Sequence, residues 1–347
     1  MSSAIADVAL RAGVSKATAS RALSGKGYVA EATRLRVIEA AQEIGYVASP
    51  NAASLVTGQT KNIGVVMPFI NRWFFGEVLE GIESALLDRG YDMTLYNLHP
   101  GTADRQRVFE FFLARKRFEG IVLIGVEPSE SEADQLVRLG VPLVGIGEPV
   151  TGIPFLSMDD RGAARRATEQ LIALGHRHIW HIAGEGAEAL DVSVPGKRYA
   201  GYLEAMAAGG LGDLCRVEVT EMSLPGGYDA AAHILSDATS RPTAVFAACD
   251  EIAIGTMIAA RRLGLRVPGD LSIIGIDGHE YAEMFSLTTI EQRPRQQGHD
   301  AVTSLLDRIA GEPPPPAVID VPARLVVRAS TAALTTAAGA HLGVATA

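Results

Sequence analysis

The sequence predicts an all-α headpiece followed by an α/β region of two doubly wound parallel-sheet subdomains. Three observations lead there. The opening residues hold three short helical stretches and no strand-like run. Beyond Lys61, short continuous apolar runs alternate with amphipathic stretches of helical length, the pattern of parallel strands buried on both faces. That cycle then repeats, and a chain of 347 residues, 48% of them hydrophobic, is long enough to bury more than one core.

In the headpiece, Ile5, Val8, Ala9 and Ala12 recur at helical spacing, Gly13 ends the helix and Val14 packs in the turn. Ser15 is placed to cap a second helix, Lys16 to Leu23, whose inward face is Ala19, Ala22 and Leu23. A third helix, Glu31 to Ile44, stops before Gly45. Two short helices joined by a Gly-containing turn form a helix-turn-helix, and its second helix enters the major groove by its N-terminal end. Lys16, Ala17, Thr18, Ser20 and Arg21 would then face DNA, with Lys16 and Arg21 donating to guanine edges or phosphates. Charge agrees with this. Residues 1–61 hold seven Lys or Arg against four acids, a net +3, whereas the remainder holds 24 against 36, a net −12.

The α/β region opens with "IGVVMP", "MTLYNL", "GIVLIG" and "PLVGIG", read as strands, with helices expected near 74–90, 102–116 and 130–140. "HIWHIAG", "RVEVTE", "AVFAAC" and "SIIGID" repeat the cycle, and "GEPPPP" is a rigid turn. Two successive doubly wound subdomains facing each other leave a cleft at the C-terminal ends of their strands, where small ligands bind. Asp277, ending "SIIGID", is placed to accept hydrogen bonds from vicinal hydroxyls, and Arg198 to donate a planar fork to oxygens. Trp73, Phe74 and Phe75 follow the first strand and supply rings for stacking. Asp250 opens the helix after "AVFAAC" as either a cap or a ligand.

Other chemistries find little support. Gly184, Gly186 and Ala189 have dinucleotide-binding spacing after a strand, but Pro195-Gly196 interrupts the following helix and Glu221 lies too far along. His178 and His181 point to opposite faces of one strand, so with His176 they form no metal site. Two cysteines, Cys215 and Cys249, make no disulfide framework. There is no export signal and no spanning stretch of ~18 apolar residues. No enzyme activity, cofactor or metal is expected, and the cytoplasm, beside the nucleoid, is the expected compartment.

Asp7 to Tyr46, with the V-S-x-x-T-x-S-R core at Val14 to Arg21, resembles the headpiece of LacI-type (lactose repressor/purine repressor) transcriptional regulators. The likeness continues through "SPNAASLVTGQTKNIGVVMP" to about Ser330. It implies a headpiece over 1–48, a hinge helix or linker over 49–60 and an effector and dimerisation domain over 61–330 of periplasmic-binding-protein type. In that domain the N-subdomain would span about 61–160 and 292–321, and the C-subdomain about 161–291 and 322–330, which puts Asp159, a further candidate effector contact, at a crossover. An Ala/Thr-rich tail, 331–347, is expected to be disordered. The resemblance adds Ser15, Tyr28 and Thr33 to the DNA-facing set. It makes Leu55 a minor-groove wedge with Ala52 beside it, while Ala53 stands where the family usually has Arg. It implies a repressor that binds a palindromic operator as a homodimer, a tetramer being the alternative, and that answers to a small effector. Purine-responsive relatives place an aromatic clamp and an extra Arg in the cleft. This chain offers Glu148, Val192 and Met222 there, which favours a sugar or polyol. A solute-binding protein of the same cleft architecture is the second reading.

Overall fold

A computed structural model describes residues 5–24, 27–46, 59–98, 103–115, 117–150, 152–190, 192–313 and 316–334. In the headpiece, α1 (Ile5–Ala12), α2 (Lys16–Ser24) and α3 (Glu31–Glu43) surround a small core. Val8, Ala9, Ala19, Ala22, Val37, Ala40 and Ala41 fill it. Five of those seven are alanines, which let short helices approach closely but bury little apolar area each. Gly13, at φ 67°, makes the turn between α1 and α2, and Ser15 Oγ accepts the Thr18 amide at 3.1 Å to cap α2. Arg11 and Glu43 tie α1 to α3 at 2.8 Å.

The α/β region contains two six-stranded sheets. The first, in the order β11-β5-β4-β3-β1-β2, comprises β1 (Asn62–Met67), β2 (Asp92–Asn97), β3 (Gly120–Ile124), β4 (Leu143–Ile146), β5 (Phe155–Met158) and β11 (Val318–Val321). Its central strands are apolar throughout because helices cover both faces. The helices of this subdomain are α4 (Trp73–Leu87), α5 (Ala103–Arg107), α6 (Glu130–Arg138) and α11 (Pro294–Ile309). α4 and α11 lie in close contact. A Cβ on Gly81 would stand 2.0 Å from the Arg295 carbonyl, and one on Gly298 2.1 Å from that of Val78, so each helix needs the other's glycine.

The second sheet runs β12-β10-β9-β8-β6-β7. Its strands are β6 (Ile179–Gly184), β7 (Arg216–Thr220), β8 (Ala244–Ala247), β9 (Ser272–Asp277), β10 (Thr288–Glu291) and β12 (Arg324–Val326), with β12 antiparallel to β10. Around it lie α7 (Asp160–Ala173), α8 (Val194–Ala208), α9 (Leu224–Ser236) and α10 (Asp250–Arg262). The chain passes between sheets three times: from β5 into α7, from β10 into α11, and from β11 into β12.

Three features depart from the sequence expectations. β5, β10, β11 and β12 are too short and too mixed in polarity to stand out as strands. The helix expected over 102–116 is broken: α5 gives way to a π-helical turn at Val108–Phe112 and a 3-10 turn at Leu113–Arg115. Residues 331–334, the start of the tail expected to be disordered, are held by hydrogen bonds, and 335–347 lie outside the described residues. The Ala332 amide donates to Ser272 Oγ at 3.1 Å and the Leu334 amide to the Leu174 carbonyl at 2.8 Å, while His176 Nε2 meets the Ala332 carbonyl at 3.1 Å. No helix among the described residues is long and apolar enough to cross a membrane.

Candidate effector cleft and DNA-facing helix

A cavity of about 500 Å³ opens between the two sheets. Its lining comes from the C-terminal ends of strands and the segments just beyond them, because parallel strands all deliver their loops to the same edge. The first subdomain contributes Phe74 and Phe75 from the first turn of α4 and Glu148 from the loop after β4. The second contributes Arg198 from α8, Met222 from the loop after β7, and Asp277.

Arg198 is 3% exposed and fixes the floor. Its Nε donates to Asp160 Oδ1 at 2.8 Å and its Nη1 to the Ala248 carbonyl at 2.6 Å, leaving Asp277 Oδ1 3.8 Å from Nη1. Asp277 is held at φ 138°, a region that L side chains rarely adopt. Gln292 Nε2 donates to its Oδ1 at 2.6 Å, and Gln297 Nε2 donates in turn to Gln292 Oε1 at 3.2 Å. Burial pushes the Asp277 carboxyl up to about 6, although Arg198 opposes the shift. Glu148 is raised as well, first by burial, with its Lys197 partner opposing. Lys197 Nζ donates to Glu148 Oε2 at 2.6 Å, and Glu148 Oε1 is buried with no hydrogen-bond partner among the described residues.

Phe75 meets Phe69 edge-on, with centroids 5.8 Å apart and planes at 67°, and Phe74 at 5.5 Å and 87°. These rings form one wall. Trp73 does not join them in lining the cleft, a correction to the sequence expectation. Successive helical residues diverge by about 100°, and its indole stacks on His279, centroids 4.6 Å apart, beside a separate cavity of about 480 Å³.

Two carboxylates also differ from expectation. Asp250 points away from the cleft: Oδ2 accepts the Gly278 and His279 amides at 2.9 and 2.8 Å, and Oδ1 accepts the Thr289 hydroxyl at 2.7 Å. It therefore pins the loop after β9. Asp159 caps α7 by accepting the Gly162 amide at 2.8 Å, while the neighbouring Asp160 turns inward to Arg198. Val192 is 67% exposed and does not line the cavity. Sequence reasoning missed Phe69, Arg72, Asp160, Glu251 and Gln292. A search among residues next to the subdomain crossovers would have found Asp160 and Gln292.

In the headpiece, α2 exposes Lys16, Ala17 and Arg21, and half-buries Thr18 and Ser20. The hydroxyls of Ser15 and Thr18 lie 2.9 Å apart, and Arg21 Nε donates to the Ala17 carbonyl at 3.3 Å. Tyr28 is 93% exposed and Thr33 half-buried. Ala52 and Leu55 lie outside the described residues.

Residues 4–50 match the family described as bacterial regulatory proteins, lacI family, and residues 168–331 match the periplasmic binding protein-like domain. The chain is 35% identical over 353 residues to the HTH-type transcriptional repressor PurR of Serratia proteamaculans, covering 94% of this chain and 96% of that protein. A Lac repressor dimer bound to operator and the anti-inducer ONPF superposes with a TM-score of 0.83 at 25% identity, covering 96% of this chain and 100% of that one. A complex of the regulator CelR with cellobiose gives 0.68 at 29% identity, covering 94% and 99%. The headpiece, the paired sheets and relatives that match nearly end to end lead to one conclusion: the chain belongs to the LacI family of transcriptional regulators, and it is a ligand-responsive DNA-binding repressor.

Proposed function

We propose that this LacI-family repressor binds a palindromic operator as a homodimer in the cytoplasm and answers to a small hydroxylated metabolite, a sugar or polyol, seated in the cleft. One observation carries the choice of ligand: the buried Asp160–Arg198–Asp277 cluster faces a wall of phenyl rings set edge to face. Inward carboxylates are acceptors for ligand hydroxyls, and phenyl faces suit the C–H face of a pyranose. A flat base stacks best on a ring face presented to it, and double-sided stacking needs two parallel faces. Here the neighbouring rings are inclined, and the Trp73 face is taken by His279. The cellobiose bound by CelR supports the same class of ligand.

In this reading Phe74, Phe75, Glu148, Arg198, Met222 and Asp277 touch the effector, and Lys16, Ala17, Thr18, Ser20 and Arg21 touch DNA. Ser15, with its hydroxyl turned to its own helix, supports α2. The effector shifts the population between two relative orientations of the subdomains and so alters operator affinity. The test is a panel of sugars, polyols and purine bases, scored by release or retention of operator in fluorescence anisotropy. Response to a sugar or polyol is expected. Response to a purine base alone would overturn the ligand assignment.

A further inference from the structure

Resting on that reading of the cleft, we infer that the effector is a hydroxylated amine, an amino sugar or amino polyol, whose ammonium group is received by Glu148. The pairing of charges around the cavity leads there. Arg72 pairs with Glu221, Arg105 with Glu132, Lys197 with Glu148 and Arg198 with Asp160. Each cationic group is thus matched by one carboxylate. Asp277, Glu251, Glu127 and Glu185 also line the cavity, and among the described residues no ion pair gives any of them a cation of its own. Asp277 shares Arg198 at 3.8 Å, and Glu251 accepts a hydrogen bond from the Trp73 backbone. The inward charge is therefore negative.

An anionic ligand meets cations that are each already paired with a carboxylate. Arg198 already donates Nε to Asp160 and Nη1 to the Ala248 carbonyl, and Arg105 already donates to Glu132 and the Glu127 carbonyl. Phosphorylated sugars and sugar acids would add charge of the wrong sign to a site that already holds an excess of it.

Glu148 identifies where a positive group would sit. Its side chain is 8% exposed, its Oε2 already receives an ammonium from Lys197, and its Oε1 is a buried acceptor with no partner among the described residues. A buried carboxylate oxygen left unpaired is costly, and a charge-assisted donor satisfies it best. A neutral hydroxyl would fill the hydrogen bond but leave the surplus charge of Asp277 and Glu251 in place. Burial pushes Glu251 up to about 6, with the Asp277 charge adding to the shift, so a cation beside these groups would favour their ionised forms.

Titration calorimetry of the full-length protein tests this with matched probes: glucose and galactose, their 2-amino counterparts, their 6-phosphates and their uronic acids. At least one amino sugar should bind tenfold or more tightly than its neutral parent, while the phosphate and the acid give no heat. Glu148→Gln should bring the amino sugar to its parent's affinity. Should that variant fail to fold by circular dichroism, Glu251→Gln replaces it and should reduce the same preference. A neutral parent that binds as tightly as its amine, or an anionic derivative that binds tighter, overturns the charge assignment and leaves the hydroxylated-ligand reading intact. If no probe binds and a purine base does, both fall.

Discussion

Lys197 Nζ lies 2.6 Å from Glu148 Oε2, an ion pair that reaches across the cleft from α8 to the loop after β4. With the Arg72–Glu221 pair and the Trp73–His279 stack, it makes three contacts between the subdomains that need no effector. The two subdomains are therefore tied across the cleft by their own side chains, contacts that any bound ligand would sit among.

Lys197→Met should destabilise the protein in a pH-dependent way. The substitution keeps the aliphatic stem but leaves Glu148, which is 9% exposed, without its ammonium. Leaving a buried acceptor unpaired costs about 1–3 kcal/mol, and the lower end applies because Lys197 keeps 24% of its side chain exposed. Burial already raises the Glu148 pKa, and losing Lys197 raises it further. A carboxyl raised on folding holds a proton that the unfolded chain releases, so stability falls as pH rises past the unfolded value. Urea midpoints should differ little between variant and parent near pH 4 and diverge toward pH 7. Adding Glu148→Gln should close the gap.

Asp250 should behave as a structural acceptor. Asp250→Ala strands two backbone amides and the Thr289 hydroxyl, a loss of about 1–3 kcal/mol per stranded group at most. Asp250→Asn can keep the amides on its oxygen and donate to Thr289, so it should stay close to wild type at pH 7. Burial, and then the nearby Asp277 charge, push Asp250 up to about 7. The folded protein therefore holds this proton between the unfolded pKa and about 7, and the stability it contributes at low pH is lost as pH climbs through that window. The asparagine variant should flatten that decline by up to about 1.4 kcal/mol per pH unit, and parallel curves would remove Asp250 as its source.

How far the site could be read in advance depended on what each residue's position is tied to. Asp277 ends a strand whose apolar run is unmistakable, so its place at the cleft edge follows from strand direction alone, whereas Glu148 comes forward only through the family resemblance. Asp159 and Asp160 are adjacent, and only the backbone geometry decides which carboxylate caps α7 and which turns to Arg198. The Trp73-Phe74-Phe75 run posed the same problem, since three consecutive rings on one helical turn cannot share a wall. Gln292 sits at a crossover with no periodicity to mark it, and its value comes from Asp277, fifteen residues earlier in sequence. β5, β10, β11 and β12 gain their strand character from neighbours in the sheet, which no local pattern displays.

On the proposed reading of α2, specificity and general affinity should be carried by different residues. Lys16 and Ala17 are exposed at the N-terminal end of α2, where base edges come within reach. Replacing both should shift the preferred operator sequence, each lost base contact costing about 1–3 kcal/mol. Arg21→Ala should weaken binding to all sequences and reduce the salt dependence, because a phosphate contact carries no sequence information. Selection from a randomised operator library distinguishes the two. An unchanged consensus for the Lys16 and Ala17 variant would place these residues away from the bases.

Asp277→Ala should uncouple effector from operator. The carboxylate lies at the junction where β9 ends, is gripped by Gln292 near the return crossover, and faces Arg198 on the other side. A ligand that hydrogen-bonds Asp277 while packing on Phe74 and Phe75 favours one orientation of the subdomains, since only one orientation lets it touch both. Removing the carboxylate removes that differential contact. The headpiece core of Val8, Ala19, Val37 and their neighbours contains no cleft residue, so operator binding by the unliganded form should persist. Thermodynamic reciprocity makes the claim strict: whatever factor the effector imposes on operator affinity, commonly about 5–150-fold, the operator must impose on effector affinity. Calorimetry with an active sugar, run with and without operator duplex, should give that equal factor for the wild type and a factor near one for Asp277→Ala. A variant that still binds and responds in full would show that the coupling runs through other contacts, with Arg198 the next residue to change.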